Sequence, residues 1–413
     1  MITAVVNIGQ LVTLAGPARP RKGRELSELG IISNAALLIE DGHIVAVGTY
    51  QEIKSKGLPN AVVDAKGRCV TPGFVDAHTH MIFAGNRAAE FEQRIAGATY
   101  QQIAAAGGGI LRTVSLTRAA TEDELLASAR LHRNWMLRSG TTTAEAKSGY
   151  GLDLDTELRM LRAIARLSDE GPMRIVPTLL AAHALPPEFA SRRAEYVQWI
   201  VNELIPAAAK TNLAQDCDVF CDDHAFTVDE CRAILLAARN HRLRLRIHAD
   251  QFRPHTGATL AADLRAVTAD HLEAIAPDDI PLLAAAGVQP VLLPGSVFAL
   301  ARTQYPPARA MIEAGLAIVL ATDFNPGSSP IPSMPFMLSL ACLHMGLSPA
   351  EALTAATTNA AHALGLGAQI GSLQPGMQAD FLIHEFTDYR ELAYYIAADA
   401  RPRLFLSGRE FTQ

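Results

Sequence analysis

The sequence has few of the features that mark secreted, membrane-spanning or nucleic-acid-binding proteins. Its 413 residues contain only five cysteines, an odd number without a C-x-x-C pair, which favours reduced thiols over a disulfide framework. No apolar run approaches the roughly 18 residues that a membrane span needs. Lys and Arg together number 36 against 42 Asp and Glu, so the net charge of -6 offers no general basic surface to a nucleic acid.

The amino terminus and the single basic cluster support the same interpretation. The segment MITAVVNIGQLVTLAG alternates like a β-strand and lacks the basic region of a secretory signal peptide, so we expect a cytoplasmic protein. The cluster RPRKGR, Arg19 to Arg24, contains Pro and Gly but no interleaved aromatic residue. We interpret it as solvated loop charge and expect no contact with nucleic acid or membrane.

Hydrophobic patterning divides the chain into two kinds of segment. Through residue 72, short apolar runs are separated by D-G, K-G and P-G turn signals, and short strands return from residue 370 to residue 413. Hydrophobic residues make up 49% of the chain, which is ample for a sizeable core. We therefore predict a small β-sandwich assembled from both termini, residues 1–72 and 370–413.

Between these segments, strand-like runs rich in Val, Ile and Thr alternate with helical stretches. There are eight runs from Gly73 onward: FVDAHTH, TTTAEAKSG, RIVPTLLAAH, CDVFCDD, LRLRIHAD, VTADH, VQPVLLPG and AIVLATD. This count predicts a (β/α)₈ barrel over residues 73–369. The alternative, a doubly wound open sheet, would normally show a glycine-rich phosphate loop after a strand. The glycine-rich run AAAGGGILRT (Ala104 to Thr113) follows a helix-like stretch instead, and we predict a helix end and loop there.

Capping signals place several of the intervening helices. Thr121 is a suitable N-cap, Glu124 completes a capping box, and Gly140 ends the helical pattern. Further helices are predicted over Thr227 to His241 and Ser333 to Met345.

Polar residues gather where the predicted strands end, which in a barrel of this type is where the chemistry lies. His78 and His80 are at positions i and i+2, so both side chains face the same side of an extended strand. With His248 and Asp323 at two further strand ends, they predict a site for Zn²⁺ or Fe²⁺ with one position left open for water. The competing interpretation is that these histidines are hydrogen-bonded core residues. Because two of them lie on one face of the strand, we favour the metal site.

The segment VDAHTH, the later strand-end histidines and TDFNPG resemble the amidohydrolase superfamily. This resemblance implies a distorted barrel beside a β-sandwich built from both termini. In relatives with two metals, a carboxylated Lys ending strand four bridges the ions. Strand four ends FCDDHAF here, and Lys147 ends strand two. The resemblance therefore implies one metal ion per chain, Zn²⁺ or Fe²⁺/Fe³⁺.

Such an ion would lower the pKa of water toward about 7. Asp323 could then act both as a ligand and as a proton acceptor. His271 stands where a second general acid/base or an oxyanion-stabilising donor would be useful, and its alternative role is that of a satisfied inner histidine.

Longer motifs, among them KSGYGLDLDTE, IHADQF, TADHLE and LATDFNPGSSP, resemble the imidazolonepropionase family along essentially the whole chain. That resemblance implies hydrolysis of the cyclic amide C–N bond of 4-imidazolone-5-propanoate, giving N-formimidoyl-L-glutamate in histidine degradation. It also implies a homodimer. The positions implied to bind substrate or product are Arg87, Tyr150, His183, Gln251, Asn325, Gly327 and Ser328.

These positions differ in how well the residue type fits the role. Arg87 could pair bidentately with the propanoate, or it could be a salt-bridge residue at the rim. Tyr150 could instead pack in a turn, and Ser328 lies in a plausible turn of any protein. Gln251 stands where many relatives carry Glu, and it cannot serve as a base, so proton handling passes to Asp323 and His271.

Two other functions remain open at this stage. Another amidohydrolase, such as an aminohydrolase acting on a related heterocycle, would share the metal ligands but need no propanoate clamp. A non-catalytic scaffold would retain the barrel but typically lose ligands, and all four are present.

Overall fold

The computed structural model describes residues 2–98, 102, 107–223 and 225–412. Within these residues the strands form two separate sheets of eight strands each. Pro72 ends a strand of the first sheet and Phe74 begins a strand of the second. The chain passes from one sheet to the other at Gly73.

The first sheet combines both termini. Its strands in chain order are β1 Ile2–Val12, β2 Ile31–Glu40, β3 His43–Thr49, β4 Ala61–Asp64, β5 Cys69–Pro72, β14 Phe381–Ile383, β15 Arg403–Leu406 and β16 Arg409–Phe411. They are ordered β16-β15-β14-β5-β1-β2-β3, with β4 also paired to β1. The antiparallel pairing of β14 with β5 joins the carboxyl-terminal strands to the amino-terminal ones. The predicted β unit from both termini is therefore present, with hydrogen bonds running through all eight strands as one sheet.

The second sheet is the barrel. Its strands are β6 Phe74–Asp76, β7 Thr141–Lys147, β8 Arg174–Ala182, β9 Asp216–Cys221, β10 Arg244–Ala249, β11 Thr268–His271, β12 Gln289–Leu292 and β13 Val319–Leu320. They follow one another in sequence order, and each pairs in parallel with the next. A parallel bridge between Thr79 and Phe324 connects the first and last strands just beyond their ends. All eight predicted barrel strands are confirmed.

Helices cover the outside of the barrel and contribute to its core. The α-helices are Tyr50–Ser55, Ala88–Ile95, Ile110–Ala119, Glu122–Arg138, Leu154–Asp169, Arg193–Trp199, Ile205–Thr211, Val228–Asn240, Gly257–Leu264, Asp279–Ala286, Pro294–Ala299, Ala308–Glu313, Met334–Met345, Pro349–Ala355, Thr358–Ala363 and Glu391–Tyr394. A π-helical turn spans Ile200–Leu204, and 3₁₀ turns span Gly23–Ser27 and Pro187–Phe189. Thr121 and Glu124 form the predicted capping box, in which each side chain accepts from the other residue's backbone.

Two local predictions need correction. The run from Ala104 to Thr113 is not only a helix end and loop, because a helix begins inside it at Ile110; residues 104–106 lie outside the described part of the chain. The basic cluster is not wholly solvated either. Arg21 is only 3% exposed, and its Nη2 donates to the Leu14 carbonyl. Its backbone N–H donates a hydrogen bond of 2.7 Å to the side-chain oxygen of Asn359, and this contact fixes the loop against the barrel.

In the described part of the chain, none of the helices has both the length and the apolar character required for a membrane crossing.

Candidate metal centre and active site

Contacts between the first and last barrel strands bring the predicted ligands together. The buried Asp76 carboxylate accepts from the backbone N–H of Thr322 at 3.0 Å and from its hydroxyl at 2.6 Å. Beyond this contact, the N–H of Asp323 donates to the His78 carbonyl at 3.1 Å. The strand itself ends at Asp76, so the two histidines lie on the segment after it, on either side of the bridging Thr79. Asp323 is thereby placed beside both.

Four side-chain atoms converge at this point. His78 Nε2 lies 3.6 Å and His80 Nε2 3.5 Å from Asp323 Oδ1. His248 Nε2 lies 3.3 Å from His80 Nε2. Bonds of about 2.0–2.1 Å to a tetrahedral ion would place neighbouring ligand atoms roughly 3.3–3.4 Å apart. The three observed separations, 3.3–3.6 Å, are close to such an edge. His78, His80 and Asp323 form one group with ligand atoms within 4.8 Å of one another, and His248 forms a second group with His78 and His271.

The outer nitrogens of two of these rings show which way their lone pairs point. His78 Nδ1 lies 2.6 Å from Asp270 Oδ2, and His248 Nδ1 lies 3.0 Å from Asp218 Oδ2. The Asp270 carboxylate accepts a hydrogen bond from His78 Nδ1, and the negative charge of Asp218 at ion-pair distance favours a proton on His248 Nδ1. Each Nε2 then presents a lone pair to the cluster. His78 Nε2 is buried without a hydrogen-bond partner. A group of inward lone pairs with one carboxylate fits a metal ion, which would satisfy that nitrogen.

A layer of buried charge lies beneath the cluster, and it was not predicted. Lys147 Nζ pairs with Glu145 at 2.9 Å and with Asp218 at 2.7 Å, all three side chains fully buried. Burial alone would raise the pKa of Asp218, but His248 and Lys147 hold it well below its usual value. The available signal was the presence of charged residues within otherwise apolar strands, in TTTAEAK and CDVF. Asp270 belongs to this group too, and burial raises its pKa to about 7.

His271 and Asp323 both take a left-handed backbone, with φ of 78° and 53°. Non-glycine residues rarely adopt this conformation, and it concentrates at functional sites. His271 offers a ring nitrogen within 4.8 Å of nitrogens of His78 and His248. Burial would lower the pKa of His271, but the Glu273 carboxylate, 3.3 Å from its Nδ1, raises it above its usual value. Burial raises the pKa of Asp323 to about 6.

Tyr150 and His183 form one wall beside the cluster. The His183 ring stacks on His80 with centroids 5.0 Å apart, and Tyr150 lies 5.3 Å from His183 and 6.0 Å from His80. Both Tyr150 and His80 are buried. Burial lowers the pKa of His183 to about 3, so this ring is neutral. Its Nδ1 lies 3.0 Å from the carbonyl oxygen of Gly149.

Arg87 reaches the loop that follows Asp323. A Cβ added to Gly327 would lie 2.1 Å from Arg87 Nη1, so only glycine leaves room for the guanidinium. On its other side, Arg87 Nε and Nη2 each lie 2.7 Å from Glu90 Oε2. Glu90 was not predicted, and its Oε1 is buried without a partner. The guanidinium is thus held between a carboxylate and the glycine loop.

Asn325 and Ser328 organise this same loop. The Asn325 side-chain oxygen accepts from the N–H groups of Gly327 at 2.8 Å and Ser328 at 2.7 Å. Its amide donates to the Asp323 carbonyl at 2.6 Å and lies 2.9 Å from the Ser328 hydroxyl. That hydroxyl lies 3.4 Å from Asp323 Oδ2. The Asn325 side chain is therefore engaged within the loop.

Gln251 follows the strand-end residue Asp250 and is 5% exposed. Its carbonyl accepts from Arg302 Nη1 at 3.4 Å.

The structure thus brings His78, His80, His248, His271 and Asp323 into one cluster, with Tyr150, His183 and Ser328 in contact with it.

Comparison with known proteins agrees with this geometry. Residues 69–403 match the model of the amidohydrolase family. An imidazolonepropionase of Solibacter usitatus is 54% identical over 408 residues, covering 98% of both chains. The imidazolonepropionase of Geobacillus kaustophilus is 46% identical, covering 97% of this chain and 95% of its own.

The chain belongs to the imidazolonepropionase family of amidohydrolases. Solved structures show the same fold at much lower identity. A zinc-bound adenosine deaminase from Xanthomonas campestris has a TM-score of 0.72 at 19% identity, covering 99% of this chain and 92% of its own. The guanine deaminase of E. coli has a TM-score of 0.70 at 17% identity, covering 100% and 99%. This chain therefore shares its fold with both deaminases.

Proposed function

We propose that this protein is an imidazolonepropionase, hydrolysing the cyclic amide C–N bond of 4-imidazolone-5-propanoate to give N-formimidoyl-L-glutamate. The observation that carries this proposal is near full-length identity of 54% to a protein of that name, joined to a buried His/Asp cluster with an arginine in the adjoining loop. A heterocycle without a carboxylate would not use that arginine. The substrate's propanoate would.

The proposal includes one metal ion per chain, Zn²⁺ or Fe²⁺/Fe³⁺, held by His78, His80, His248 and Asp323. When bound, such an ion would lower the pKa of a water from 15.7 toward about 7 and supply a nucleophile at neutral pH. The ligand set of imidazoles with one carboxylate supports both metals. The state of Lys147 supports one ion rather than two. Its ammonium is held in ion pairs with Glu145 and Asp218, so it is not a carboxylated lysine that bridges two metals.

Proton transfer falls to two residues of this chain. Asp323, which lies beside both His78 and His80, accepts the proton of the attacking water. His271, held by Glu273, donates to the departing ring nitrogen or to the developing oxyanion. Gln251 can donate and accept hydrogen bonds toward the ring but takes no proton.

Substrate binding falls to the surrounding residues. Arg87, oriented by Glu90, pairs with the propanoate carboxylate. Tyr150 and His183 contact the ring from the wall beside His80. Asn325, Gly327 and Ser328 form the loop that contacts the formimidoyl-glutamate product. The Asn325 side chain acts by holding the shape of this loop, because its oxygen already accepts from the N–H groups of Gly327 and Ser328.

The test is turnover of 4-imidazolone-5-propanoate by metal-replete protein, followed as N-formimidoyl-glutamate, beside release of ammonia from adenosine and guanine. We expect turnover of the imidazolone alone. Deamination of a purine without imidazolone turnover would favour the aminohydrolase alternative, and no turnover of any of them would revive the scaffold.

The proposal extends to organisation and location. We infer a β-sandwich domain of residues 1–72 and 370–413, a catalytic barrel of residues 73–369, a homodimer, and a cytoplasmic location. All five cysteines are free thiols, which supports a reducing compartment.

A further inference from the structure

The segment between β7 and the helix Leu154–Asp169 carries Tyr150 and is buried from Ser148 through Leu152. It is unusual in its backbone, because Gly149 has φ of 101° and Leu152 has φ of 57°. A segment of this shape needs its backbone N–H groups satisfied, since no regular hydrogen-bond ladder runs through it. Three of these N–H groups, those of Gly149, Gly151 and Leu152, share one partner.

That partner is the fully buried carboxylate of Glu157. Its Oε1 accepts from the N–H of Gly151 at 2.8 Å and of Leu152 at 2.9 Å. Its Oε2 accepts from the N–H of Gly149 at 3.0 Å. One side chain therefore holds the backbone on both sides of Tyr150. Hydrogen bonds from several N–H groups to an ionised acceptor are among the stronger ones in proteins.

Capping of the helix does not explain this carboxylate. Asp153 already caps the helix, its side chain accepting from the Thr156 N–H at 2.8 Å. The N–H of Glu157 itself bonds to the Asp153 carbonyl within the helix. All the N–H groups that the Glu157 side chain accepts from belong to the preceding segment.

The same segment determines how His183 is oriented. The Gly149 N–H donates to the Glu157 carboxylate, and the Gly149 carbonyl oxygen lies 3.0 Å from His183 Nδ1. A carbonyl can only accept, so Nδ1 carries a proton and this hydrogen bond fixes the orientation of the His183 ring. The close packing of the segment leaves little freedom: a Cβ on Gly149 would lie 2.7 Å from the Leu180 carbonyl oxygen.

We propose that Glu157 is a positioning residue of this enzyme, which fixes the Tyr150 segment and, through the Gly149 carbonyl, the orientation of the His183 ring beside the substrate. The inference rests on the proposed function for the identity of the substrate. It assigns to Glu157 no contact with substrate or metal.

The test is Glu157→Gln, which keeps the shape of the side chain but replaces one acceptor oxygen with a donor amide. We expect the substrate KM to rise roughly tenfold or more, because small displacements of substrate-positioning groups are costly. Metal bound per chain should stay at the wild-type level, and amide hydrogen exchange should accelerate at Gly149, Gly151 and Leu152.

Glu351→Gln is the matched control. Glu351 is also a buried glutamate at a helix start, where it accepts from the backbone N–H of Ser348 and from the Arg309 guanidinium, both outside the site. It should lose stability without a change in KM. If Glu157→Gln does not fold, Gly151→Ala perturbs the same contact, because its Cβ would lie 2.9 Å from Glu157 Oε1; the same rise in KM is expected.

Wild-type KM and wild-type exchange in Glu157→Gln would overturn the inference, as would an equal rise in KM in Glu351→Gln. Failure of wild-type protein to turn over the imidazolone would overturn the proposed function instead. In that event, the exchange rates at the three N–H groups still decide whether Glu157 holds the segment.

Discussion

His248 Nδ1 lies 3.0 Å from Asp218 Oδ2, deep in the barrel. The same carboxylate oxygen lies 2.7 Å from Lys147 Nζ, so a buried lysine shares the partner of a proposed metal ligand. The negative charge of the carboxylate favours a proton on His248 Nδ1 and makes the other ring nitrogen more basic. Lys147 in turn keeps Asp218 ionised.

From this relationship we predict that Asp218→Asn weakens metal binding about 10- to 100-fold, because a neutral amide supports the imidazole less well. Competition against a chelator measures the change. Asp216→Asn is the control: Asp216 lies on the same strand but pairs with Arg244 and Arg246, so this variant should lose stability with metal affinity intact. Equal metal affinity in Asp218→Asn and wild type would contradict the prediction.

A second prediction concerns His271. Since we assign it proton transfer and not metal binding, His271→Asn should lower kcat roughly 10²- to 10⁴-fold while the metal content stays unchanged. Metal analysis and steady-state kinetics on one preparation give both quantities. Loss of the bound metal would make His271 a ligand, and the assignment of Asp323 and His271 as the proton-handling pair would then be wrong.

A third prediction concerns the carboxylate clamp. Arg87→Gln removes a charged donor from the loop at Gly327, so the substrate KM should rise roughly 10- to 100-fold with a smaller effect on kcat. Arg19→Gln, which breaks an exposed arginine–glutamate pair with Glu25, should leave KM unchanged. If both variants bind substrate as well as wild type does, Arg87 is a rim salt-bridge residue of Glu90.

A fourth prediction concerns acid stability. Burial lowers the pKa of His384 to about 3, against about 6.5 in an unfolded chain. As the pH falls from about 6.5 toward 3, the unfolded state takes up a proton that the folded state excludes. His384 therefore contributes a loss of up to about 1.4 kcal/mol of unfolding free energy per pH unit in that window. Above pH 7 it contributes no such slope.

Denaturant unfolding of wild type and His384→Gln at a series of pH values measures this contribution. The difference between the two unfolding free energies should shrink or reverse as the pH falls. His43→Gln, at an exposed histidine of the same sheet, should follow wild type. Parallel curves for His384→Gln and wild type would show that His384 is not kept neutral by the fold.

The barrel and the ligand cluster could be predicted because both follow from local patterns. Eight strand-like runs sufficed for the fold, and side chains at strand ends had to meet at one face. From their i, i+2 spacing we expected the side chains of His78 and His80 to face the same side. They do come together beside Asp323, although the strand ends at Asp76. Bridging at Thr79 keeps that segment extended enough for the argument to hold.

The buried charges could not be predicted, because a charge is tolerated inside only with partners that the sequence does not identify. Asp218 pairs with Lys147 of β7, which is far away in the sequence. The Arg21 side chain is held by the Leu14 carbonyl and its backbone by Asn359, far along the chain. Glu157 is different. Its partners lie within eight residues, and an acid shortly after a glycine-containing segment was a readable signal.

The central claim is that one ion, held by His78, His80, His248 and Asp323, supports hydrolysis of the imidazolone. Titration of metal-free protein with Zn²⁺ and with Fe²⁺, each followed by turnover of 4-imidazolone-5-propanoate, tests it most directly. We predict that activity rises linearly and saturates at one equivalent per chain, and that His78→Ala abolishes the rise. Saturation at two equivalents, or full activity in metal-free protein, would contradict the claim.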